Sequence, residues 1–168
     1  MAKKVLSFIE NLFDEREFIY PYYRLQEAGY TVDVAGSESK TFTSKSGLTQ
    51  ASDMAYGDVN VDDYLGLLIP GGFAPDYMRR YEDAIEIVKK FNEAGKPIAM
   101  ICHAGWVGIE ADIVDGKRLT SVGSIRTDMI NAGVEWVDEA PAIDGNIVTG
   151  RYPDDLPVYI KAFIEMLD

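Results

Sequence analysis

Short, almost wholly apolar runs alternate with longer segments of helical periodicity along this chain, and that alternation constrains the architecture before any motif is read. Val5 to Ile9, Tyr64 to Ile69 and Ile98 to Ile101 are too uniformly apolar to have one wet face, as expected of strands covered on both sides. Between them lie predicted helices from Asp14 to Ala28, closed by Gly29, and from Glu82 to Ala94, with Ala84, Ile85, Val88 and Phe91 on one stripe and Gly95 as its stop. Pro21 falls inside the first, predicting a bend unless the regular helix begins only near Phe18. Further strands are expected at Tyr30 to Ala35, Leu119 to Val122, Val134 to Val137 and Ile147 to Thr149, with a small ribbon at Thr41 to Lys45. The segment from Gln50 to Val61 reads as irregular. Helices are expected from Ala104 to Ala111, around Thr127 to Ala132, and at the end, where Leu156, Ile160, Phe163, Ile164 and Leu167 share a face capped by Asp154 or Asp155. Strands separated by helices pair in parallel, so the expected class is α/β: a doubly wound, mostly parallel sheet with helices on both faces, one domain over residues 1–168.

Charge and sulfur content remove whole classes of function. The 168 residues carry 16 basic against 28 acidic side chains, a net charge of −12, which disfavours nucleic acid and anionic membrane surfaces. No apolar run approaches the roughly 18 residues of a membrane span. One cysteine and one histidine cannot assemble a Cys/His zinc site, and no phosphate-loop or dinucleotide glycine fingerprint is present, so neither metal nor cofactor is expected. An unpaired cysteine and an amino terminus without a leader pattern point to a reducing, cytoplasmic setting.

Ligands of such sheets bind at the carboxyl ends of the strands, and three of those ends carry chemistry. The strand Ile98 to Ile101 runs into Cys102-His103-Ala104-Gly105 and then a helix, the order of a nucleophile elbow with cysteine in place of serine. A sulfur at the positive end of a helix is expected to have a lowered pKa, although a lone cysteine there is equally consistent with a small buried hydrophobe. Tyr64 to Ile69 ends in Pro70-Gly71-Gly72, whose amides are suited to an oxyanion or simply to a tight turn. Beyond Ile9 come Glu10, Asp14, Glu15 and Glu17. Such a run is ordinarily a solvated helix start, but Glu17 is also read as a partly buried, protonated carboxyl donating to the sulfur.

At these residues the chain resembles the ThiJ/PfpI superfamily, close to the PfpI intracellular protease-like branch and related to the parkinsonism-associated protein deglycase. The resemblance runs nearly end to end. It rests on Glu17 with Pro21, on the stretch Leu65 to Asp76, on Gly95 to Gly105 around Ile101-Cys102-His103, on Asp128 to Trp136, and on Thr149-Gly150-Arg151-Tyr152-Pro153. It implies a flavodoxin-like, class I glutamine amidotransferase-like sandwich, with Cys102 as an oxidisable nucleophile, Glu17 touching its sulfur, and Gly71, Gly72 and His103 supplying oxyanion amides. In the PfpI branch a glutamate from a neighbouring subunit completes a triad with the histidine. The matching residue here is Asp76, shorter by a methylene, so the resemblance implies a homodimer or hexamer with Asp76 near a neighbour's site. Ala104 stands where the branch usually has glycine, and its methyl is expected to narrow the pocket, which Arg151 would border unless held in an ion pair.

Three functions follow. The first is cofactor-independent conversion of reactive aldehydes, of the glyoxalase or protein deglycase kind. The second is an intracellular cysteine peptidase, which requires His103 beside the sulfur, whereas adjacent residues on an elbow tend to diverge. The third is an oxidative-stress sensor or holdase whose Cys102 oxidises without turnover.

Overall fold

The computed structural model describes residues 2–168. Six parallel strands, beginning with β1 (Lys4–Phe8) and β2 (Thr31–Gly36), and one antiparallel strand make up the main sheet. Between β1 and β2 lies α1 (Glu15–Glu27), whose amino end is fixed by Asp14; the Asp14 carboxylate accepts the N–H groups of Arg16 and Glu17. The helix is regular from Glu15 and runs unbroken through Pro21, whose ring removes the N–H that would have reached the Glu17 carbonyl. Gly29, at φ +95°, turns the chain out of it.

After β2 the ribbon β3 (Thr41–Thr43) and β4 (Thr49–Ala51) pairs antiparallel outside the main sheet, and β5 (Met54–Ala55) forms the sheet's parallel edge. The segment expected to be irregular therefore contains β4 and β5, both too short to carry a two-residue periodicity. Then follow β6 (Gly66–Ile69), a short α2 (Ala74–Met78) that sequence reasoning missed, α3 (Glu82–Glu93) and β7 (Ile98–Ile101). A single 3-10 turn, Cys102–Ala104, leads into α4 (Gly105–Glu110). Beyond it, β8 (Arg118–Leu119) and β9 (Glu135–Trp136) pair with each other across α5 (Arg126–Asn131) and stay out of the main sheet. The strand expected at Leu119 to Val122 ends early because Thr120 donates its N–H to the Thr149 hydroxyl at 3.0 Å and Val122 donates to the Cys102 carbonyl at 3.2 Å. The chain closes with β10 (Ala142–Asp144), β11 (Ile147–Gly150) and α6 (Leu156–Leu167).

Strand order is β10-β11-β7-β6-β1-β2-β5, parallel except for β10. The two faces are read directly from β6 and β7. Leu67, Ile69, Ile98 and Met100 point into a core closed by α3 and α4, and Leu68, Ala99 and Ile101 point into one closed by α1 and α6. Asp155 sits at the start of α6 without capping it; its carboxylate instead accepts the Arg151 N–H and guanidinium. β1, β6 and β7 are adjacent, so their carboxyl ends bring Glu17, the Gly71-Gly72 pair and Cys102 to one place.

Candidate active site

Cys102 leaves β7 with φ +61°, in the left-handed region that non-glycine residues avoid. This is the sharp turn of an elbow, and the Val122 N–H holds its carbonyl. The Cys102 side chain is half-buried, with the N–H groups of Gly72 and His103 aimed at the sulfur. Glu17, in the first turn of α1, is fully buried, and its Oε1 accepts the Gly71 N–H at 3.0 Å. One of the three expected oxyanion amides is thus already taken, leaving Gly72 and His103. The other carboxyl oxygen, Oε2, has no protein partner.

Both glycines are required by space. A β-carbon on Gly71 would stand 2.5 Å from Glu17 Oε1 and 2.6 Å from Cys102 Cβ. One on Gly72, at φ +78°, would land on the main chain of residues 12–14. The crowding comes with tight attachment: the Gly71-Gly72 loop is stitched to the entry of α1 by Asp14 N–H to Gly71 O (3.2 Å), Phe73 N–H to Leu12 O (2.9 Å) and a bridge between Phe13 and Gly72. Acid, loop and elbow are fixed by main-chain bonds.

Burial, reinforced by the Asp14 carboxylate, pushes Glu17 up to about 8, so its carboxyl keeps its proton at neutrality. Asp14 itself is buried yet held below the ordinary range, because Arg16 and Lys45 bind it; Lys45 Nζ lies 2.7 Å from its Oδ2. The thiol departs from the expected low pKa, and the shift runs upward. Burial, then the charge of Glu17, pushes Cys102 up to about 12 against the pull of the two facing N–H groups. The turn of α4 that follows is too short to reverse that loss of hydration. Glu17's share of the rise exists only while Glu17 is ionised, and protonation converts it from a repelling anion into an O–H donor.

His103 also differs from expectation. Its Nδ1 lies 3.3 Å from Cys102 Sγ, so the adjacent side chains converge instead of diverging, and its Nε2 lies 3.1 Å from Ser124 Oγ. Burial, and secondarily Lys45, holds its pKa below the usual value. Asp76 does not touch His103 within the chain; Arg79 and Arg80 bind its carboxylate. Arg151 follows β11 beside the elbow but turns its guanidinium away, onto both oxygens of Asp155 and onto Asp138 at 3.0 Å, so it is an ion-pair residue. Ala104 is fully buried in the core under α4 and does not line an opening. Lys45 and Ser124 were not found from the sequence, because a lysine after a two-stranded ribbon and a serine in a loop carry no pattern. No cluster of three or more metal-ligating side chains occurs among the described residues, and no helix among them is long and apolar enough to cross a membrane.

A cysteine at the elbow of a parallel sheet, with a buried neutral acid and main-chain donors around it, defines a class of thiol proteins. The DJ-1/PfpI family pattern matches residues 3–166, and the chain belongs to that family. Deglycase PfpI of Pyrococcus furiosus is 42% identical over 98% of this chain and 99% of its own, and "Putative cysteine protease YraA" of Bacillus subtilis is 39% identical over 99% of each. Among solved structures, a two-domain protein of Anabaena variabilis with DJ-1/ThiJ/PfpI-like and ferritin-like domains superposes with a TM-score of 0.96 at 38% identity over 99% of this chain, which spans 48% of that one. Drosophila melanogaster DJ-1beta superposes at 0.92 with 26% identity, over 99% of this chain and 91% of its own.

Proposed function

We propose that this protein is a cofactor-independent enzyme that uses Cys102 as nucleophile on reactive aldehydes, in the manner of a glyoxalase or protein deglycase. The observation that carries the reading is the buried Glu17 carboxyl, neutral at physiological pH and anchored by Gly71, next to a sulfur faced by two free N–H donors. A thiol held mostly protonated needs a base at the moment of attack, and His103 Nδ1 at 3.3 Å is in place to take the proton. The sulfur then forms a bond to the aldehyde carbon, and the carbonyl π pair moves to oxygen, where the Gly72 and His103 N–H groups stabilise the charge. The neutral Glu17 carboxyl gives its proton to that oxygen, which forms a hemithioacetal and leaves Glu17 as the carboxylate. With an α-oxoaldehyde, the Glu17 carboxylate takes the former aldehyde proton and returns it to the neighbouring carbon while the hemithioacetal hydroxyl proton passes to the neighbouring oxygen, so the first carbon is oxidised to a thioester and the second reduced to an alcohol. Water cleaves the thioester and restores the thiol, so no external oxidant or reductant is consumed.

The test is lactate formation from methylglyoxal by the purified protein and by Cys102→Ala. Product from the first and none above the blank from the second supports the reading; equal rates refute it. A peptidase is the second reading, favoured by the approach of His103 to the sulfur and by the name of the Bacillus subtilis relative. Peptide hydrolysis that disappears in Cys102→Ala, with no lactate formed by the unaltered protein, would select it. A free thiol nucleophile fits a reducing, cytoplasmic setting, and self-association as a dimer or hexamer, with an aldehyde or a modified protein as substrate, belongs to the same proposal.

A further inference from the structure

Asp76 makes no hydrogen bond or ion pair with the imidazole of its own chain, yet an unbroken series of contacts joins the two. Its Oδ1 accepts Arg79 Nε at 3.1 Å and Arg79 Nη2 at 2.5 Å, while Oδ2 accepts Arg80. The Arg79 guanidinium carbon lies 4.5 Å from the centre of the Trp106 indole, on α4. The indole stands 4.9 Å from the His103 ring at 52°, and its Nε1 donates to Asp128 at 2.9 Å. His103 is therefore held on three sides: sulfur at Nδ1, Ser124 hydroxyl at Nε2, and indole against the ring.

We infer that Trp106 is a positioning residue for His103, and that Asp76 acts on His103 through Arg79 and Trp106 within one chain. α4 has only six residues, so it has little cohesion of its own with which to hold a large side chain. A cation over an indole contributes about 0.5 to 2 kcal/mol, and only when the cation stays in place. Asp76 keeps it there by holding the planar guanidinium through two nitrogens. Without that carboxylate Arg79 is a solvent-seeking chain, and Trp106 loses the cation over its ring while keeping its Asp128 bond, its edge contact with Phe73 at 6.2 Å and its packing on the core. A ring that rotates away from His103 releases the imidazole from its aim at the sulfur. The inference rests on the enzymatic reading only in taking that aim as useful.

His103 is the only histidine in the chain, so its ring protons give unambiguous NMR signals. Iodoacetamide alkylation of the single cysteine reports the sulfur's reactivity without any substrate. Trp106→Leu should move the His103 resonances through loss of the indole ring current and slow alkylation about tenfold, and Trp106→Phe should restore most of both. Asp76→Ala should move the same resonances in the same direction by less. In the Asp76→Ala/Trp106→Leu double variant the Asp76 change should add nothing, because its route has been removed. An Asp76 effect of undiminished size in the Trp106→Leu background would overturn the inference and signal direct contact with an imidazole, in this subunit or another. Unchanged His103 signals in Trp106→Leu would overturn it as well. Should Trp106→Leu fail to fold, Arg79→Gln takes its place: the inference requires it to shift His103 and to cancel the Asp76 effect. Absence of lactate formation by the unaltered protein would remove the aldehyde reading and leave these measurements standing.

Discussion

Glu17 carries a stability cost that grows with pH, and Glu17→Gln measures it. In the folded protein the carboxyl titrates at about 8; in the unfolded chain it returns to the ordinary 4.5. Between those values the unfolded state has lost the proton and the native state keeps it, so native stability is fully present below 4.5 and is lost as pH rises through the folded value. The slope is about 1.4 kcal/mol per pH unit, and about 5 kcal/mol is lost across the whole interval. Glutamine has the same shape and no titration. Its carbonyl can keep the Gly71 N–H, while its amide meets a position where Glu17 Oε2 has no partner, at a cost of about 1 to 3 kcal/mol. The variant should therefore be no more stable than the parent near pH 4.5 and more stable by about 3 kcal/mol near pH 8. Urea unfolding of both proteins, followed by tryptophan fluorescence at equal concentration across that range, supplies the two curves. Parallel curves would refute the reasoning, because they would mean that Glu17 ionises as easily inside the protein as in water.

Gly71→Ala should lower stability by about 1 to 3 kcal/mol and suppress alkylation of Cys102, since the added carbon lies 2.5 Å from Glu17 Oε1 and 2.6 Å from Cys102 Cβ; thermal melting and iodoacetamide kinetics check the two effects. Arg151→Leu should cost about 2 kcal/mol in urea unfolding by stripping Asp155 of its paired donors, yet leave the rate of Cys102 alkylation within about twofold. Lys45→Met should raise the titration midpoints of both His103 and Glu17, because the ammonium beside Asp14 holds each of them down; NMR titration of the lone histidine gives the first shift directly.

The parallel sheet was legible because Leu67 to Ile69 and Ile98 to Ile101 are apolar on both faces, which only a covered strand tolerates. Cys102, Glu17 and the glycine pair were legible because each follows or closes such a strand. Two-residue strands such as β5 and β8 carry no period to detect. The excursion of β8 and β9 out of the sheet depends on hydroxyl and carbonyl partners at Thr149 and Cys102 that lie far away in sequence. Within the site, the sequence supplied residue types but not directions. Gly71 gives its amide to Glu17 instead of to an oxyanion, Arg151 turns to Asp155, and Asp76 binds two arginines of its own chain. The sign of the thiol shift was missed for a related reason: helix placement can be guessed from spacing, whereas the depth of the surrounding protein cannot.

The left-handed backbone at Cys102 sets a gradient against the sulfur. At φ +61° a side chain costs about 1 to 2 kcal/mol that glycine would not. A glycine at 102 would relax the bend, just as a neutral amide at 17 would ease the interior above neutral pH, so the two simplest routes to a sturdier molecule each remove a group that the proposed chemistry requires. A lineage optimised for robustness alone would drift towards an inert sandwich of the same outline.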